Sequence, residues 1–478
     1  MKTFSLVLLL ALLASPAFAA IQNVKVSGDI TSTWLNRDSF DLTSGPDAGL
    51  VAGTYGLKSQ NVFITQTRLR VDADLSDNVS ATVGLINERA WNQESSGTDG
   101  LDTSVELSLA NVTVRQFLYS PLTITVGRQV FFYGNGMIMG NGAVGEDAGG
   151  NFQSVAWDLT KNLAQDGIKA VLDFKPLTID MFYIKNSETT PAVEGEYTTN
   201  KAQSSDAFGY NINYQLNDPW NTVLEQYMFS RIDGSGYESY IHSPASMNKG
   251  NSVYAPGLHV ATMPIKGLHI SAELAHEFGQ QVVTTTSPAT QEAEHRNATA
   301  GMLLVNYALP FLEQYKPSLE AQYMYFSGDK NSGETYSSSP VKSAKSYTAW
   351  DTMFAAQAPG HIYNTIFGPT NIEVIAFGGS ISPLQDVTAS VLWNDLLTAQ
   401  PYSAQNPMVI IQPNGTVLEP STTKKSGLGN ETDVTLNYAY TEDVSFGLTL
   451  GWFVPGDAFS KTNRDTASQA LASIGVKF

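Results

Sequence analysis

The chain contains no cysteine, and after its first twenty residues it contains no long apolar segment. Without cysteine there is no disulfide framework, thiolate metal site, lipidated cysteine or cysteine nucleophile. A membrane helix needs about 20 consecutive apolar residues, so helical membrane proteins are excluded. Basic residues are also few, with 27 Lys and Arg against 45 Asp and Glu, and the net charge of −18 argues against nucleic acid or an anionic membrane surface as a partner.

The start of the chain has the features of a secretory signal peptide. Lys2 precedes the apolar segment FSLVLLLALLA, and the small residues Ala17 and Ala19 suit a signal peptidase. We predict that residues 1–19 are cleaved and that the mature chain begins at Ala20. No Pro-rich linker, charge block or change of composition divides residues 20–478, which predicts a single domain.

Apolar and polar residues alternate in segments about ten residues long throughout the mature chain. In FGYNINYQL, residues 208–216, one parity is apolar or aromatic and the other is small or polar. A strand with this pattern has one apolar face and one polar face. The pattern recurs in eighteen segments, clearly so in FITQTRLRVDADL, LHISAELAHEF, TDVTLNYAY and VSFGLTLGW. Their length is what a tilted strand needs to cross a bilayer.

The connections between these segments alternate strictly between short and long. The eight short turns lie at 76–78, 119–121, 175–177, 217–221, 263–267, 310–317, 382–386 and 441–443. The nine long loops lie at about 37–60, 92–104, 133–165, 187–205, 232–251, 280–296, 328–368, 398–428 and 454–466. This order predicts an all-β, antiparallel up-and-down barrel of the bacterial outer membrane, with the long loops outside. Because lipid tolerates no open sheet edge, the first strand must pair with the last.

The composition of the two faces predicts which of them contacts lipid. A soluble β-protein would bury Tyr, Leu and Val and expose Lys or Glu. Here the polar face carries mostly Gly, Ser, Thr, Asn and acids, with few lysines, which suits a water-filled lumen. We therefore expect the apolar face to contact outer-membrane lipid and the polar face to line a channel.

Three stretches resemble the alginate export family of outer-membrane barrels. The first joins TQTRLRVDADL to VGRQVFFYGNGMIMGNG, the second joins YMYFSGDKNSGETY to MFAAQAPGHIY, and the third is ETDVTLNYAYTEDVSFGLTLGWFVPGDAF. The aromatic end at Phe478 is typical of barrels handled by the outer-membrane assembly machinery. The resemblance implies a passive conduit for polar solutes or a saccharide chain, with no cofactor and no chemical step.

The resemblance also implies that basic side chains in the lumen guide a polyuronate. The matching residues are Arg68, Arg70, Arg89 and Arg128, with Asp329, His361 and Asp457 in loops. The loop after Gly-Arg-Gln departs from the family pattern, because residues 134–138 lack the acid and arginine that the family often carries. Arg128 also shares its parity with apolar residues, so a lumen position requires a bulge at Gly127.

Strand parity adds further candidates for the lumen lining. The predicted acids are Asp29, Asp72, Asp74, Glu88, Asp173, Asp180, Glu273, Glu277, Glu320, Glu373, Glu431 and Asp433. The predicted bases, besides the arginines, are Lys25, Lys169 and Lys477. An acidic lining favours cations or neutral solutes, so a general or cation-preferring porin remains an alternative to a polyuronate channel.

Other functional classes find little support in the sequence. The segment YGNGMIMGNG lacks the Lys-Ser/Thr of a phosphate-binding loop, and His269, His276 and Glu277 lack the spacing of a zinc site. No twelve-residue Ca²⁺ loop surrounds Asp329, Asp351, Glu431 or Asp457, so we predict solvated acids and no metal there. Two rivals remain. An outer-membrane enzyme predicts a Ser/His/acid cluster at the barrel rim, and a surface structural barrel predicts a plugged lumen.

Overall fold

The computed structural model describes most of residues 20–478. The described residues are 23–43, 59–91, 105–140, 155–187, 205–233, 251–284, 291–330, 346–355, 360–402, 408, 410–411, 417–418 and 420–478. The predicted signal peptide, residues 1–19, lies outside them. No helix among these residues is long and apolar enough to cross a membrane.

Alternating sequence segments form the strands, and eighteen of these strands form one closed antiparallel barrel. The barrel strands are β1 (Asn23–Asp38), β2 (Ser59–Ser76), β3 (Val79–Ala90), β4 (Glu106–Arg115), β5 (Leu122–Gln129), β6 (Gln165–Asp173), β7 (Leu177–Ser187), β8 (Ser205–Gln215), β9 (Val223–Asp233), β10 (Asn251–Ile265), β11 (Leu268–Thr284), β12 (Gln291–Ala308), β13 (Ser318–Phe326), β15 (Ile372–Leu384), β16 (Val387–Thr398), β19 (Gly427–Ala439), β20 (Val444–Pro455) and β21 (Ala467–Lys477). Three short strands lie in loops: β14 (Ser346–Tyr347), β17 (Ile410–Ile411) and β18 (Val417–Leu418). One helical turn, α1 (Tyr363–Ile366), and two 3₁₀ turns, Trp157–Leu159 and Glu313–Tyr315, complete the elements.

The barrel closes between its first and last strands, as predicted. Strands β1 and β21 pair from Asp29 opposite Lys477 to Asp38 opposite Ser468. Beyond the last strand residue, Phe478 and Gly28 exchange two backbone hydrogen bonds of 2.9 and 3.0 Å. A Cβ at Gly28 would lie 2.6 Å from the Phe478 ring, so only glycine admits this aromatic terminus at the seam.

Side-chain exposure confirms the predicted assignment of the two faces. Leu274 and Leu258 are 66% and 59% exposed on the outer surface, whereas Glu273 and His259, one residue away, are 1% and 6% exposed. In residues 208–216, Phe208 is exposed outside and Asn211 is buried inside. Because side chains alternate every two residues, the apolar face contacts lipid and the polar face points toward the lumen.

The eight short turns lie where they were predicted, but one long loop is shorter than expected. Strand β11 continues to Thr284 and β12 begins at Gln291, which leaves residues 285–290 as the connection instead of 280–296. The added residues of β11 and β12 are polar in sequence, because their inward side chains make polar contacts. Arg296 is 4% exposed and lies 3.6 Å from Glu277. In this extension of β11 and β12, an inward ion pair therefore takes the place of the alternation of apolar and polar residues.

Two long loops turn into the barrel and, with residues of other loops such as Phe40 and Phe459, pack against its inner wall. Their described parts are residues 130–140 with 155–164, called here the first inward loop, and residues 346–355 with 360–371, called the second inward loop. Apolar loop side chains pack against the inner wall in one buried cluster that includes Met137, Ile138, Trp350, Phe182 and Phe229. The lumen is thus partly plugged, as a surface structural barrel would predict. A cavity remains below the plug.

Candidate channel site

The first inward loop is fastened to the wall by a glutamate. Glu273 of β11 accepts a hydrogen bond of 2.7 Å from the backbone N–H of Asn135 and another of 2.7 Å from the hydroxyl of Tyr227. Gly134 has φ +57°, and a Cβ there would lie 2.7 Å from Glu273 Oε2. The glycine-rich sequence of this loop therefore lets its backbone approach the carboxylate closely.

The same loop is held again at its return to the wall. Glu88 of β3 accepts hydrogen bonds from the backbone N–H of Lys161, at 2.7 Å, and from the hydroxyl of Thr160. Nearer the outer end of the barrel, the buried Arg37 forms a two-point ion pair with Asp158. These contacts fix the position of Lys161, one of the loop residues that line the cavity.

The second inward loop is fastened in the same way. Glu431 of β19 accepts three backbone N–H bonds, from His361 at 2.6 Å, Ile362 at 2.8 Å and Tyr363 at 2.6 Å. Glu277 of β11 accepts the N–H of Asp351 at 2.9 Å. Several wall acids that the sequence assigns to an acidic lining are therefore hydrogen-bonded to loops.

A cavity of about 540 Å³ lies against the seam of the barrel. Its lining includes Arg68, Arg70, Lys161 and Lys477, with Asp29 as the acidic side chain among them. The two arginines are 45% and 51% exposed. Four cationic side chains against the carboxylate of Asp29, with Asp72 beside Arg70, make this part of the lumen basic.

Hydrogen bonds hold these cations in place. Arg68 Nε lies 2.7 Å from Asp29 Oδ1, and Lys161 Nζ lies 3.3 Å from Asp29 Oδ2 and 2.8 Å from the Thr31 hydroxyl. Arg70 pairs with Asp72 two residues along β2, at 2.7 Å. Burial lowers the pKa of the Lys161 ammonium below its ordinary value of 10.5, and the charge of Asp29 opposes part of that shift.

Other predicted lining residues also lie on the lumen face but outside this cluster. Lys169 lies over the Phe131 ring at 6.0 Å. Strand alternation places Asp74, Asp173 and Glu320 on the same face, with Asp173 at the end of β6. Asp180 and Asp433 also follow the lumen parity.

Three predicted lining residues lie on the outer face, and those predictions are wrong. Arg128 is opposite Asp166, 3.3 Å away, and the β5–β6 register runs without a shift. Gly127 has φ +115° but inserts no extra residue, so Arg128 keeps the outward parity of Val126. Arg89 is opposite Thr65, on the face opposite to Glu88. Glu373 accepts a hydrogen bond from exposed Tyr323 and lies between the buried Ile372 and Val374.

The three loop candidates do not come together. Asp329 accepts a 2.7 Å bond from the N–H of Thr348 and is buried. His361 contributes its backbone N–H to Glu431, and its side chain is exposed. Asp457 is partly exposed and pairs with Lys425 at 3.1 Å. Asp329 therefore acts within its own loop, His361 bonds to the wall, and Asp457 joins two neighbouring loops.

Sequence reasoning missed Lys161 and a hydrogen-bonded chain on the lumen wall. His259 lies 2.8 Å from Glu225 through Nδ1 and 2.8 Å from Ser271 through Nε2. The Ser271 hydroxyl is 2.7 Å from the Asn135 side chain, so the chain ends on the first inward loop. The residues stand on β9, β10 and β11, and only the strand register brings them together. Among the described residues, no group of three or more His, Cys, Asp and Glu side chains is arranged to hold a metal.

Comparisons with known proteins agree with this fold. The family model described as alginate export matches residues 51–473. No curated protein matches the chain. Similar solved structures include OccK3 (OpdO) of Pseudomonas aeruginosa, with 9% identity, a TM-score of 0.54 and 96% of each chain covered. OccK2 (OpdF) of Pseudomonas aeruginosa in complex with glucuronate has 11% identity and a TM-score of 0.51, covering 96% of this chain and 99% of its own. A BenF-like porin from Pseudomonas fluorescens Pf-5 has 9% identity and a TM-score of 0.51, with 96% and 100% covered.

Removing the carboxylate of Glu273 should loosen the first inward loop. In Glu273→Ala, the Asn135 N–H and the Tyr227 hydroxyl lose their acceptor, which costs roughly 1–3 kcal/mol for each buried group left unsatisfied. We expect larger current fluctuations and a higher mean conductance in planar bilayers. Glu320→Ala serves as control, because Glu320 lies on the lumen face of β13, away from the bonded loop segments. Equal conductance in wild type, Glu273→Ala and Glu320→Ala would contradict the role of Glu273.

Proposed function

This chain belongs to the alginate export family, and on that premise we propose that its barrel passes small anionic solutes that carry a carboxylate, such as sugar acids. The chain is an outer-membrane channel, since its family and its barrel fold agree on that point. The solute class is the proposal. Passage is passive and needs no cofactor.

The basic cavity is the observation that supports an anionic solute. Arg68, Arg70, Lys161 and Lys477 surround it, and only Asp29 among its lining residues is acidic. Guanidinium groups bind carboxylates through two parallel N–H bonds, and both arginines are exposed to the cavity. A volume of about 540 Å³ lies within the roughly 300–1,000 Å³ typical of small-ligand sites. The structure of OccK2 (OpdF) contains glucuronate, a sugar acid, which is consistent with this solute class.

The cation-preferring alternative rests on the number of lumen acids. Glu88, Glu273, Glu277 and Glu431 accept loop N–H bonds, and Asp72 accepts from Arg70 and Thr82. Carboxylates in such contacts attract mobile cations less than free carboxylates do, because local dipoles and charges already stabilise them. At the cavity, four cationic side chains face only the two carboxylates of Asp29 and Asp72, so this part of the lumen keeps an excess of positive charge.

Among the described residues, the hydrogen-bonded series Ser271, His259 and Glu225 is the observation that favours an enzyme. It has the order of a nucleophile, a base and an orienting acid. We propose that it fastens the first inward loop instead, because Ser271 is only 2% exposed and lies against Asn135. A substrate has no path to the hydroxyl while that loop is in place.

The partners follow from the surface of the barrel. Outer-membrane lipid covers the apolar face. We propose that the assembly machinery recognises the last strand and the exposed Phe478 that follows it during insertion. The overall negative charge does not suit nucleic acid.

Anion selectivity tests the proposed function. In planar bilayers under a KCl gradient, the wild-type reversal potential should show preference for chloride. The double variant Arg68→Gln with Arg70→Gln should lower the anion-to-cation permeability ratio several-fold, because it removes two of the cavity charges. Arg128→Gln is the matched control, since Arg128 lies on the outer face and should leave the ratio unchanged. A wild-type channel that prefers potassium would overturn the proposal.

The selectivity should also fall in alkaline solution through Lys161. Because its pKa is lowered from 10.5, this ammonium loses its proton at a pH below the ordinary lysine range as the pH rises. Anion preference should therefore weaken between neutral pH and about 10.5. The Lys161→Gln variant should start from a lower ratio and lack this transition. Identical pH profiles for the variant and the wild type would exclude Lys161 from the field that selects ions.

A further inference from the structure

A buried polar cluster lies behind the second inward loop, between β16, β19 and α1. Asn394 is directly opposite Glu431 in the strand register, and Asp433 lies two residues further along on the same face. Tyr363 of α1 covers the cluster. Glu431 and Asn394 are fully buried, Tyr363 is 2% exposed and Asp433 is 3% exposed.

The polar atoms of this cluster have few partners. Both carboxylate oxygens of Asp433, both amide atoms of Asn394 and the hydroxyl of Tyr363 are buried, with no hydrogen-bond partner among the described residues. Buried polar groups are nearly always hydrogen-bonded or bound to an ion or water. Unpartnered groups from three separate elements therefore point to something that they bind together.

Charge narrows the choice of what they bind. Glu431 and Asp433 are two buried carboxylates on one face, and no lysine or arginine in the described part of the chain forms an ion pair with either. The three N–H bonds to Glu431 come from the loop backbone, and the carboxylate of Asp433 lies close to Glu431 and to the N–H of His361. A buried carboxylate without a counter-charge is very unfavourable unless it is protonated or bound to a metal.

The donor set selects the kind of cation. We propose that Asp433, Asn394 and Tyr363, with Glu431 beside them, bind one divalent cation that prefers oxygen ligands, namely Ca²⁺. All the donors are hard oxygens, from a carboxylate that can bind through both atoms, an amide carbonyl and a hydroxyl. Ca²⁺ accepts six to eight such ligands in irregular geometry, whereas Mg²⁺ demands a near-ideal octahedron and Zn²⁺ favours His and Cys.

The local packing supports a preformed site. Gly451 is opposite Asp433, and a Cβ there would lie 2.6 Å from Asp433 Oδ1 and 3.4 Å from Ile362. Gly360 has φ +92°, and its absent side chain leaves room for the Tyr363 ring. Each glycine thus leaves room for one side chain of the cluster, Gly451 for the Asp433 carboxylate and Gly360 for the Tyr363 ring. The bound ion would join the wall to α1 and hold the second inward loop in the lumen.

The test uses the refolded barrel in detergent, treated with a chelator and titrated with CaCl₂ or TbCl₃. When Tb³⁺ binds to the wild type, excitation of tyrosine should produce Tb³⁺ luminescence. Added Ca²⁺ should displace the Tb³⁺ and abolish this luminescence. Asp433→Asn should weaken this binding at least tenfold, and Tyr363→Phe should weaken it less while keeping the ring. Asp77→Asn, in an exposed turn, is the matched control and should bind as the wild type does.

Calorimetry and thermal unfolding separate the remaining outcomes. Ca²⁺ should raise the unfolding temperature of the wild type, and the Asp433→Asn variant should lose one bound ion per chain. If Asp433→Asn does not fold, Asn394→Ala and the wild-type stoichiometry test the same site. No Ca²⁺ binding by the wild type, or undiminished binding by Asp433→Asn and Asn394→Ala, would overturn the proposal. A variant Asp433→Asn that is more stable than the wild type in both chelator and Ca²⁺ would show that the pair shares a proton instead.

Discussion

Backbone N–H groups of the inward loops bind carboxylates of the barrel wall, and the shape of the lumen depends on this contact. A buried carboxylate is stable only when donors surround it, and a loop inside a barrel needs acceptors for its free N–H groups. Glu88, Glu273, Glu277 and Glu431 meet both needs at once. The loops are thereby fixed inside against the inner wall, and the basic cavity lies beneath them.

The same contact links structure to selectivity. Wall acids that would attract cations are occupied by loop dipoles, while Arg68 and Arg70 remain exposed to the cavity. Lys161 joins them because Glu88 holds its backbone and Asp29 holds its ammonium. A chain with net charge −18 can therefore present a basic site to a solute. Local pairing, not total charge, determines the field in the lumen.

Much of the fold could be predicted from the sequence because a barrel strand repeats every two residues and each turn needs its own residues. The strand number, the closure at Phe478 and the outward position of residues such as Leu274 follow from these local rules. The extension of β11 and β12 could not be predicted, because Arg296 is satisfied there by Glu277 and by loop residues distant in the chain. Arg128 was misplaced because a bulge was expected at Gly127, whereas the register runs through this glycine without a shift.

The candidate site was predictable only in part, for the same physical reason. Parity correctly indicated the face of Arg68 and Arg70, but it carries no information on loops, so Lys161 was missed. Parity also cannot tell a free carboxylate from one bound by a loop, which made the lumen look more acidic than its contacts allow. The chain through His259 and the cluster at Asp433 depend on neighbours in other strands, and a single sequence does not reveal those neighbours.

Hydrogen–deuterium exchange of the loop amides tests most directly whether wall carboxylates hold the loops inside. The N–H groups of Asn135, Asp351 and residues 361–363 lie outside the barrel strands and bond to buried carboxylates. They should exchange as slowly as amides within the strands, and far more slowly than amides of an exposed turn such as residues 77–78. Exchange of these loop amides at the rate of an unstructured peptide would contradict the anchored loops and, with them, the basic cavity beneath.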